Sequence, residues 1–594
     1  MGSKSGPKPK FFTLSLFFLA LSLLLLISTF RLKTRVIIVD RYRENNYNST
    51  PVVVVVDRYR ENEYNSSVES PRINIVQKKP LPPLINFLKK EFGGNKEIKI
   101  GLVNIQHEDD HQQNEYYWKA LGETVLVDFE RVSNEKVWKD FFPEWIDEEE
   151  KNGTPPKCPE IPMPRFEEYR EFDVVISRVP CGNIGTDDDD DDDDDKGKGI
   201  RDLFRLQVNL VVANLVARRS TDENDRPVYV VFMGYCGPML EIFRCDDLVK
   251  REGQFWIYKP DLRRLKQKVQ MPIGTCQLAT PFVNQGEGNN INYNFSKLGN
   301  PIDHPREAYV TVLHSSEAYV CGAIALSQSI IQSNSTKDLI LLADNSITNK
   351  SRQALEDAGW KVKLIDRIQS PHAKKGAYNE WNYSKLRIWQ LTEYDKVIFI
   401  DSDLIIVKNI DDFFAYPQLS AAGNDNMIFN SGIMVIEPSK CMFESLMKKR
   451  HTLYSYNGGD QGFLNEVFTW WHRWPRRLNY LKLFISKKNS QYRPEVPEPI
   501  YAIHYLGLKP WVCYRDYDCN WDMLDHHQFA SDSAHRRWWQ VYDAMPERLQ
   551  KYCGLSKSMD ARIKKWRNIA KNASLPDEHW KIKVTDPRQT HLIN

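Results

Sequence analysis

An apolar run from Val397 to Ile400 ends in Asp401-Ser402-Asp403. A strand repeats with period two, so two carboxylates one residue apart face the same way. Oxygen ligands at that spacing suit a hard divalent ion, Mn²⁺ or Mg²⁺. Such an ion bridges to a diphosphate and neutralises charge as a sugar departs. The same pattern also arises where an aspartate simply caps a strand-end turn, so the flanking segments must decide.

Four of them do. Tyr383-Ser-Lys385-Leu-Arg-Ile-Trp389 lies upstream, and Phe429-Asn430-Ser431-Gly432 follows the acidic pair. Asn457-Gly458-Gly459-Asp460-Gln461-Gly462 and His504-Tyr505-Leu506-Gly507-Leu508-Lys509-Pro510-Trp511 come later. In this order and spacing the stretch from Tyr309 to Trp511 resembles glycosyltransferase family 8, the glycogenin-like group, and most closely its plant branch that adds glucuronic acid to xylan.

The resemblance implies that Asp401, Asp403 and His504 are the protein ligands of Mn²⁺, with Mg²⁺ as the alternative ion. It implies that Leu313 and Tyr319 line a uridine pocket, with Ser402 between the two metal-binding aspartates. The segment Tyr505, Leu506, Gly507, Leu508 and Lys509 belongs to the donor site, and Gly507 and Lys509 contact the diphosphate. A lysine there acts as a point charge on the leaving group. Asn430, Ser431 and Gly432 are expected as a short polar turn presenting donors to the sugar, and Lys385 holds the donor near its phosphates. Asn457, Gly458 and Gly459 lead into Asp460 and Gln461, which the resemblance places beneath the anomeric carbon, and the glycines permit close backbone approach. The catalytic assignment is therefore Lys385, Asp460 and Gln461. Retention by front-face attack and by double displacement both remain open.

The function implied is a retaining, Mn²⁺-dependent transferase that moves glucuronic acid from UDP-glucuronate to the xylan backbone. Two alternatives stand beside it: a glycogenin-like glucosyltransferase that primes a polysaccharide, and an inactive glycosyltransferase-like subunit that scaffolds partner enzymes. A complex with other glycosyltransferases or an oligomer is compatible with each. Trp470, Trp471, His472, Arg473 and Trp474 form an aromatic and basic cluster, read as buried packing under a loop ahead of a polysaccharide-stacking surface.

Positioning such residues needs a sheet with its loops at one end. Strands are expected at Ala308 to Leu313, Leu339 to Leu342, Lys361 to Ile365, Lys396 to Ile400 and Gly432 to Ile436, with a turn at His314 to Glu317 and a helix from Tyr319 to Ile331. Alternation of strands and helices predicts a Rossmann-like, mostly parallel mixed α/β sheet of the GT-A type, with ligands at the carboxyl ends of strands. A second α/β unit precedes it, with strands at Ile98 to Ile105, Thr124 to Phe129, Phe172 to Ile176 and Val228 to Phe232 and an amphipathic stretch from Leu203 to Val216. Met559, Ile563, Trp566 and Ala570 fall at helical spacing and predict a packing face.

The 594 residues are 41% hydrophobic and 12% aromatic, enough for two globular units and not a disordered chain. The formal charge of +2 includes the unbroken Asp187 to Asp195 run, read as a solvated loop, and gives no reason to expect nucleic acid. His107 to His111 reads as a polar loop. The uncharged stretch from Phe11 to Phe30, at ~1.5 Å per residue, is long enough to cross a bilayer core of ~30 Å. Sequons at Asn48, Asn65, Asn152, Asn294, Asn334, Asn349, Asn382 and Asn572 all follow it, which makes that side lumenal. The expectation is a single-pass type II Golgi membrane protein whose scattered cysteines, among them Cys158, Cys181, Cys513 and Cys519, pair in an oxidising lumen. The expected division is a cytosolic tail (1–10), a signal anchor (11–30), a stem containing a short Asp-Arg-Tyr-Arg-Glu-Asn duplication (31–95), the α/β unit (96–280), the catalytic domain (304–520) and a helical extension (521–594).

Overall fold

The computed structural model describes residues 83–93, 98–105, 118–146, 148, 158–169, 171–181, 200–218, 227–279, 283–285, 291–293, 304–424, 427–484 and 495–593. The chain divides into Met1–Pro80 and Leu81–Asn594, and every described residue belongs to the second unit. The expected anchor, the duplication, His107 to His111 and Asp187 to Asp195 lie outside the described residues. Among the described residues no helix is long and apolar enough to cross a membrane.

The first sheet has the order β2-β1-β3-β4-β6-β5, formed by β1 (Lys99–Val103), β2 (Glu123–Val127), β3 (Val174–Arg178), β4 (Tyr229–Met233), β5 (Leu248–Glu252) and β6 (Phe255–Tyr258). The four expected strands pair in parallel, and the antiparallel β5/β6 pair closes one edge. Two expectations change here. The helix Pro83–Glu91 buries Leu84, Ile85 and Leu88 against this sheet, so the folded unit starts ahead of the boundary drawn at 95. The helix Leu203–Ala217 is not amphipathic: nearly all its residues are buried, including Arg205, Gln207 and Asn209. Gln207 and Asn209 are satisfied inside. Gln207 donates to the carbonyls of Glu130 and Pro162, and Asn209 accepts from the Met239 amide.

After a short hairpin, β7 (Val283–Gln285) and β8 (Ile291–Tyr293), comes a seven-stranded sheet of order β11-β10-β9-β12-β15-β14-β16. Its strands are β9 (Glu307–Leu313), β10 (Asp338–Ala343), β11 (Lys361–Leu364), β12 (Lys396–Ile400), β14 (Ser420–Gly423), β15 (Phe429–Ile436) and β16 (His472–Trp474). β9 to β12 run parallel and β15 is antiparallel to both neighbours, which is the mixed, mostly parallel sheet expected. β12 shows why it sits centrally. Ile398 and Ile400 enter one core with Ile324 of the Val320–Gln332 helix, while Val397 and Phe399 enter the other with Leu386 and Trp389. A strand buried on both faces is read as a continuous apolar run.

From β9 the chain winds outward through β10 and β11, then returns to place β12 on the other side of β9. The order reverses between β9 and β12, and in open α/β sheets the crevice beyond such a reversal is where ligands bind. A small third sheet, β13 (Leu404–Ile406), β18 (Ala502–His504) and β17 (Tyr480–Leu481), stands beside that crevice.

All ten cysteines pair: Cys158–Cys276, Cys181–Cys236, Cys245–Cys441, Cys321–Cys553 and Cys513–Cys519. The C-terminal segment is not a loose extension. Trp538 and Trp539 belong to the catalytic core, and Met559, Ile563 and Trp566 cover Tyr514 and Tyr517 as the helical spacing predicts.

Candidate functional site

The acidic pair is placed by backbone bonds on both sides. The Asp401 amide donates to the Gly432 carbonyl (2.8 Å), and the Leu404 amide closes a tight turn onto the Asp401 carbonyl (3.1 Å). β13 then pairs with β18 so that Leu404 stands opposite His504, and the Tyr505 amide donates to the Asp403 carbonyl (3.0 Å). The strand after the acidic turn thus recruits the histidine from a segment about a hundred residues later in the chain. Ser402 is buried under the start of the Val320–Gln332 helix, where a Cβ on Gly322 would lie 2.4 Å from the Ser402 carbonyl oxygen and 2.6 Å from the Trp511 ring. The helix approaches that closely because position 322 has no side chain.

One ligand atom each from Asp401, Asp403 and His504 lie within 4.8 Å of one another. His504 Nδ1 is 3.2 Å from Asn479 Oδ1, while Asn479 Nδ2 donates to Asn430 Oδ1 (2.9 Å). The amide orientation therefore gives Nδ1 the proton and leaves the Nε2 lone pair aimed at Asp403 Oδ1, 3.3 Å away. Two acceptors held that close call for a cation between them, and two carboxylates with an imidazole fit a divalent ion. Burial pushes Asp401 up to about 6, with Lys385 opposing. Burial also acts on Asp403, but its charged neighbours, Lys509 foremost, outweigh it and hold that carboxyl well below the usual range.

Lys385 sits in the 3₁₀ helix Asn382–Gln390 and is buried. Its ammonium lies 2.5 Å from Asp460 Oδ2 and 3.3 Å from Asp401 Oδ1, and donates to the Ser431 carbonyl (3.1 Å). Burial would lower this lysine, yet the two carboxylates outweigh it and keep it charged. Ser431 Oγ donates to Asp460 Oδ2 (2.8 Å), and the Ser431 amide donates to Gln461 Oε1 (3.2 Å). Lys385, Asp401, Ser431, Asp460 and Gln461 therefore form one connected polar floor.

Asn430, Ser431 and Gly432 are not the polar turn expected from sequence. They follow Phe429 at the start of β15, buried, where the register with β14 shifts. A Cβ on Gly432 would fall 2.6 Å from His504 Cε1, so this position must remain bare for the imidazole to fit. The Asn457 to Gln461 segment is the true turn: Gly458 has φ 66°, and Asn457 Oδ1 accepts from the amides of Gly459 (2.9 Å) and Gly462 (3.3 Å).

Lys509 Nζ is 2.7 Å from Asp403 Oδ2 and donates to the Tyr505 carbonyl (2.5 Å). Gly507 has φ 74°, and Asn520 clamps the next residue, accepting from the Leu508 amide (2.9 Å) and donating to its carbonyl (3.0 Å). Leu508 itself packs against the C-terminal cluster and Leu506 is half-buried. Tyr505 is fully buried with its hydroxyl on the Ala534 carbonyl (2.8 Å), so this member of the expected donor-binding set has only its backbone near the site. Leu313 is likewise a core residue at the end of β9. Tyr319 is 38% exposed, edge-on to Trp511 at 6.0 Å, and its hydroxyl, raised by burial, feels Lys509, Asp403 and Asp401. The Trp470 to Trp474 cluster is fully buried, as the packing reading expects.

Asn479, Asn520 and His314 were not legible as site residues. His314 follows β9, is lowered by burial, and feels Asp344, Asp460, Lys385 and Arg367. Asn479 and Asn520 act through other residues and stand in no motif, so only their contacts expose them.

Comparison with known proteins follows this geometry. Residues 310–513 match the family Glycosyl transferase family 8, and residues 82–276 match the GUX1-5 N-terminal domain. The chain is 52% identical to the Arabidopsis thaliana protein named putative UDP-glucuronate:xylan alpha-glucuronosyltransferase 4, covering 88% of this chain and 91% of that one. It is 51% identical to UDP-glucuronate:xylan alpha-glucuronosyltransferase 2 of the same plant, covering 83% and 80%. Among solved structures, the galactosyltransferase LgtC in complex with donor and acceptor sugar analogues matches with a TM-score of 0.29 at 15% identity, covering 41% of this chain and 99% of that one.

Proposed function

The chain belongs to glycosyltransferase family 8 and is a glycosyltransferase, and from that premise we propose that it transfers glucuronic acid from UDP-glucuronate to the xylan backbone with retention of configuration. The observation that carries the reading is the convergence of Asp401, Asp403 and His504 within 4.8 Å, beside a lysine and a carboxylate held as an ion pair. The names of relatives at about half identity support the donor and acceptor. An inactive scaffold would have no need of the intact ligand set.

Mn²⁺ is the cation assigned to these three residues. When bound, it supplies charge neutralisation at the diphosphate. Lys509, released from Asp403, turns its ammonium to the leaving oxygen, and the Asn520 clamp fixes where that ammonium stands. Ser431 and Asn430 orient the sugar from β15. Asp460 Oδ2 accepts from Lys385 and Ser431, and pairing with the Lys385 ammonium lowers the nucleophilicity of the carboxylate. It acts instead as a fixed negative charge beneath a developing oxocarbenium ion, and retention proceeds by front-face attack, the departing diphosphate oxygen taking the acceptor proton. A Golgi lumenal, type II setting, held by the Phe11 to Phe30 stretch, is part of the same proposal. Five disulfides and exposed sequon asparagines at Asn334, Asn349 and Asn572 support it.

Nuclear magnetic resonance of the product formed from UDP-glucuronate and xylohexaose tests this. An α-linked glucuronate on an internal xylose, with no sugar adduct on Asp460 by mass spectrometry, is expected. A β-linked product, or a trapped Asp460 adduct, contradicts it.

A further inference from the structure

The segment leading into Asp460 carries large aromatic side chains turned to solvent. Tyr454 is 70% and Tyr456 52% exposed, and Tyr378, on a neighbouring loop, is 87% exposed. The buried Trp470, Trp471 and Trp474 show how the same chain treats bulky rings that serve packing. Isolated exposed rings need no explanation, but these belong to one surface. Asn379, beside Tyr378, donates to the Asn457 carbonyl (2.5 Å), and Ser370 Oγ donates to the Gly458 carbonyl (2.7 Å). The His372 ring lies 5.7 Å from the Tyr454 ring.

That surface is continuous with the polar floor. Gln461 Nε2 donates to the Tyr456 hydroxyl (2.7 Å), while Gln461 Oε1 accepts from the Ser431 amide (3.2 Å). A single side chain therefore links the exposed tyrosines to the group that faces the donor sugar. Tyrosine offers a rigid ring at low conformational cost with a hydroxyl at its tip. A β-linked pyranose presents C–H faces above and below its ring and hydroxyls around its rim, which matches that surface.

We propose that Tyr378, Tyr454 and Tyr456 form the acceptor platform, on which consecutive pyranose rings of a neutral β-1,4-linked polysaccharide stack beside the donor site. The inference rests on the transferase reading above, and deepens it by assigning where the acceptor lies.

Transfer kinetics of the full chain with xylobiose and xylohexaose test it in Tyr378→Ala, Tyr454→Ala and the double variant, with Tyr378→Phe and Tyr454→Phe as conservative controls. The KM for xylohexaose is expected to rise roughly fivefold or more per ring lost. The KM for xylobiose should change much less, and the Phe variants should restore the wild-type value. Equal effects on both acceptors, or none on either, overturn the platform. If the wild-type chain transfers to neither acceptor, the proposed function is wrong, and calorimetric binding of xylohexaose and cellohexaose then reads the platform alone. Binding that disappears in the double variant supports it. Binding unchanged in that variant, or absent in the wild type, overturns it.

Discussion

His504 shows how much of the site depends on a neighbour that carries no motif. Its Nε2 faces Asp403 only because Asn479 holds Nδ1 and is itself held by Asn430. Groups that orient a metal-binding histidine typically matter by about 10–100-fold in affinity. Asn479→Ala should therefore weaken Mn²⁺ binding by about that factor, as a metal titration followed by calorimetry on the folded variant would read, alongside a loss of about 1–3 kcal/mol in stability from the buried groups it leaves unpaired. An unchanged affinity would mean that Asn479 does not set the imidazole. Asp401 and Asp403 were legible from their types and spacing, whereas Lys385, Asp460 and His504 were legible only through the resemblance to family 8. Asn479 and Asn520 were not, because a residue that acts by holding another in place has no spacing rule.

At the scale of elements, the strands that carry the acidic pair were legible, since β12 and β15 are apolar runs buried on both faces. The short strands β13, β14 and β16 to β18 were not. Each has two to four residues, too few for a period to register. The start of β15 was hidden for another reason: Asn430, Ser431 and Gly432 lie at a register shift against β14 and read as a turn, although they lie within the strand. The C-terminal clasp gives a prediction that belongs here. Burial alone would lower the His579 imidazole, but Asp532 (2.8 Å) and Asp577 (2.9 Å) outweigh it and raise it to about 9. A raised histidine contributes stability that is full below its unfolded value of about 6.5 and is lost as pH rises through its folded value. The thermal midpoint should fall between about pH 6.5 and 9 by a few degrees, and His579→Gln should flatten that slope. A slope unchanged in the variant would place the titration elsewhere.

Across the whole molecule, the unit before residue 280 had no role legible in sequence, and the structure makes it a wall of the catalytic unit. Glu241 accepts from the amides of Thr469 (2.8 Å) and Trp470 (3.1 Å), Arg244 pairs with Glu437 (2.5 Å), and Cys245 is bonded to Cys441. Trp470 is buried in the core beside the six-stranded sheet, not in those of the seven-stranded one. Such contacts join positions about two hundred residues apart, and no local pattern announces them. Residues 304–594 expressed alone should fail to give soluble, cooperatively folding protein. In the full chain, Glu241→Ala should lower stability by about 1–3 kcal/mol, because it strands two buried amides. A fragment that melts like the full chain would show the two units to be independent.

The proposed transfer of glucuronate by the Asp401, Asp403 and His504 centre depends on a bound metal. Its most direct test compares UDP-glucuronate with UDP-glucose as donors to xylooligosaccharides, with Mn²⁺ or chelator, for the full chain and Asp403→Ala. Transfer from UDP-glucuronate that chelator abolishes and Mn²⁺ restores is expected, with Asp403→Ala folded but inactive. Preference for UDP-glucose, or activity that survives chelation or the substitution, would contradict it.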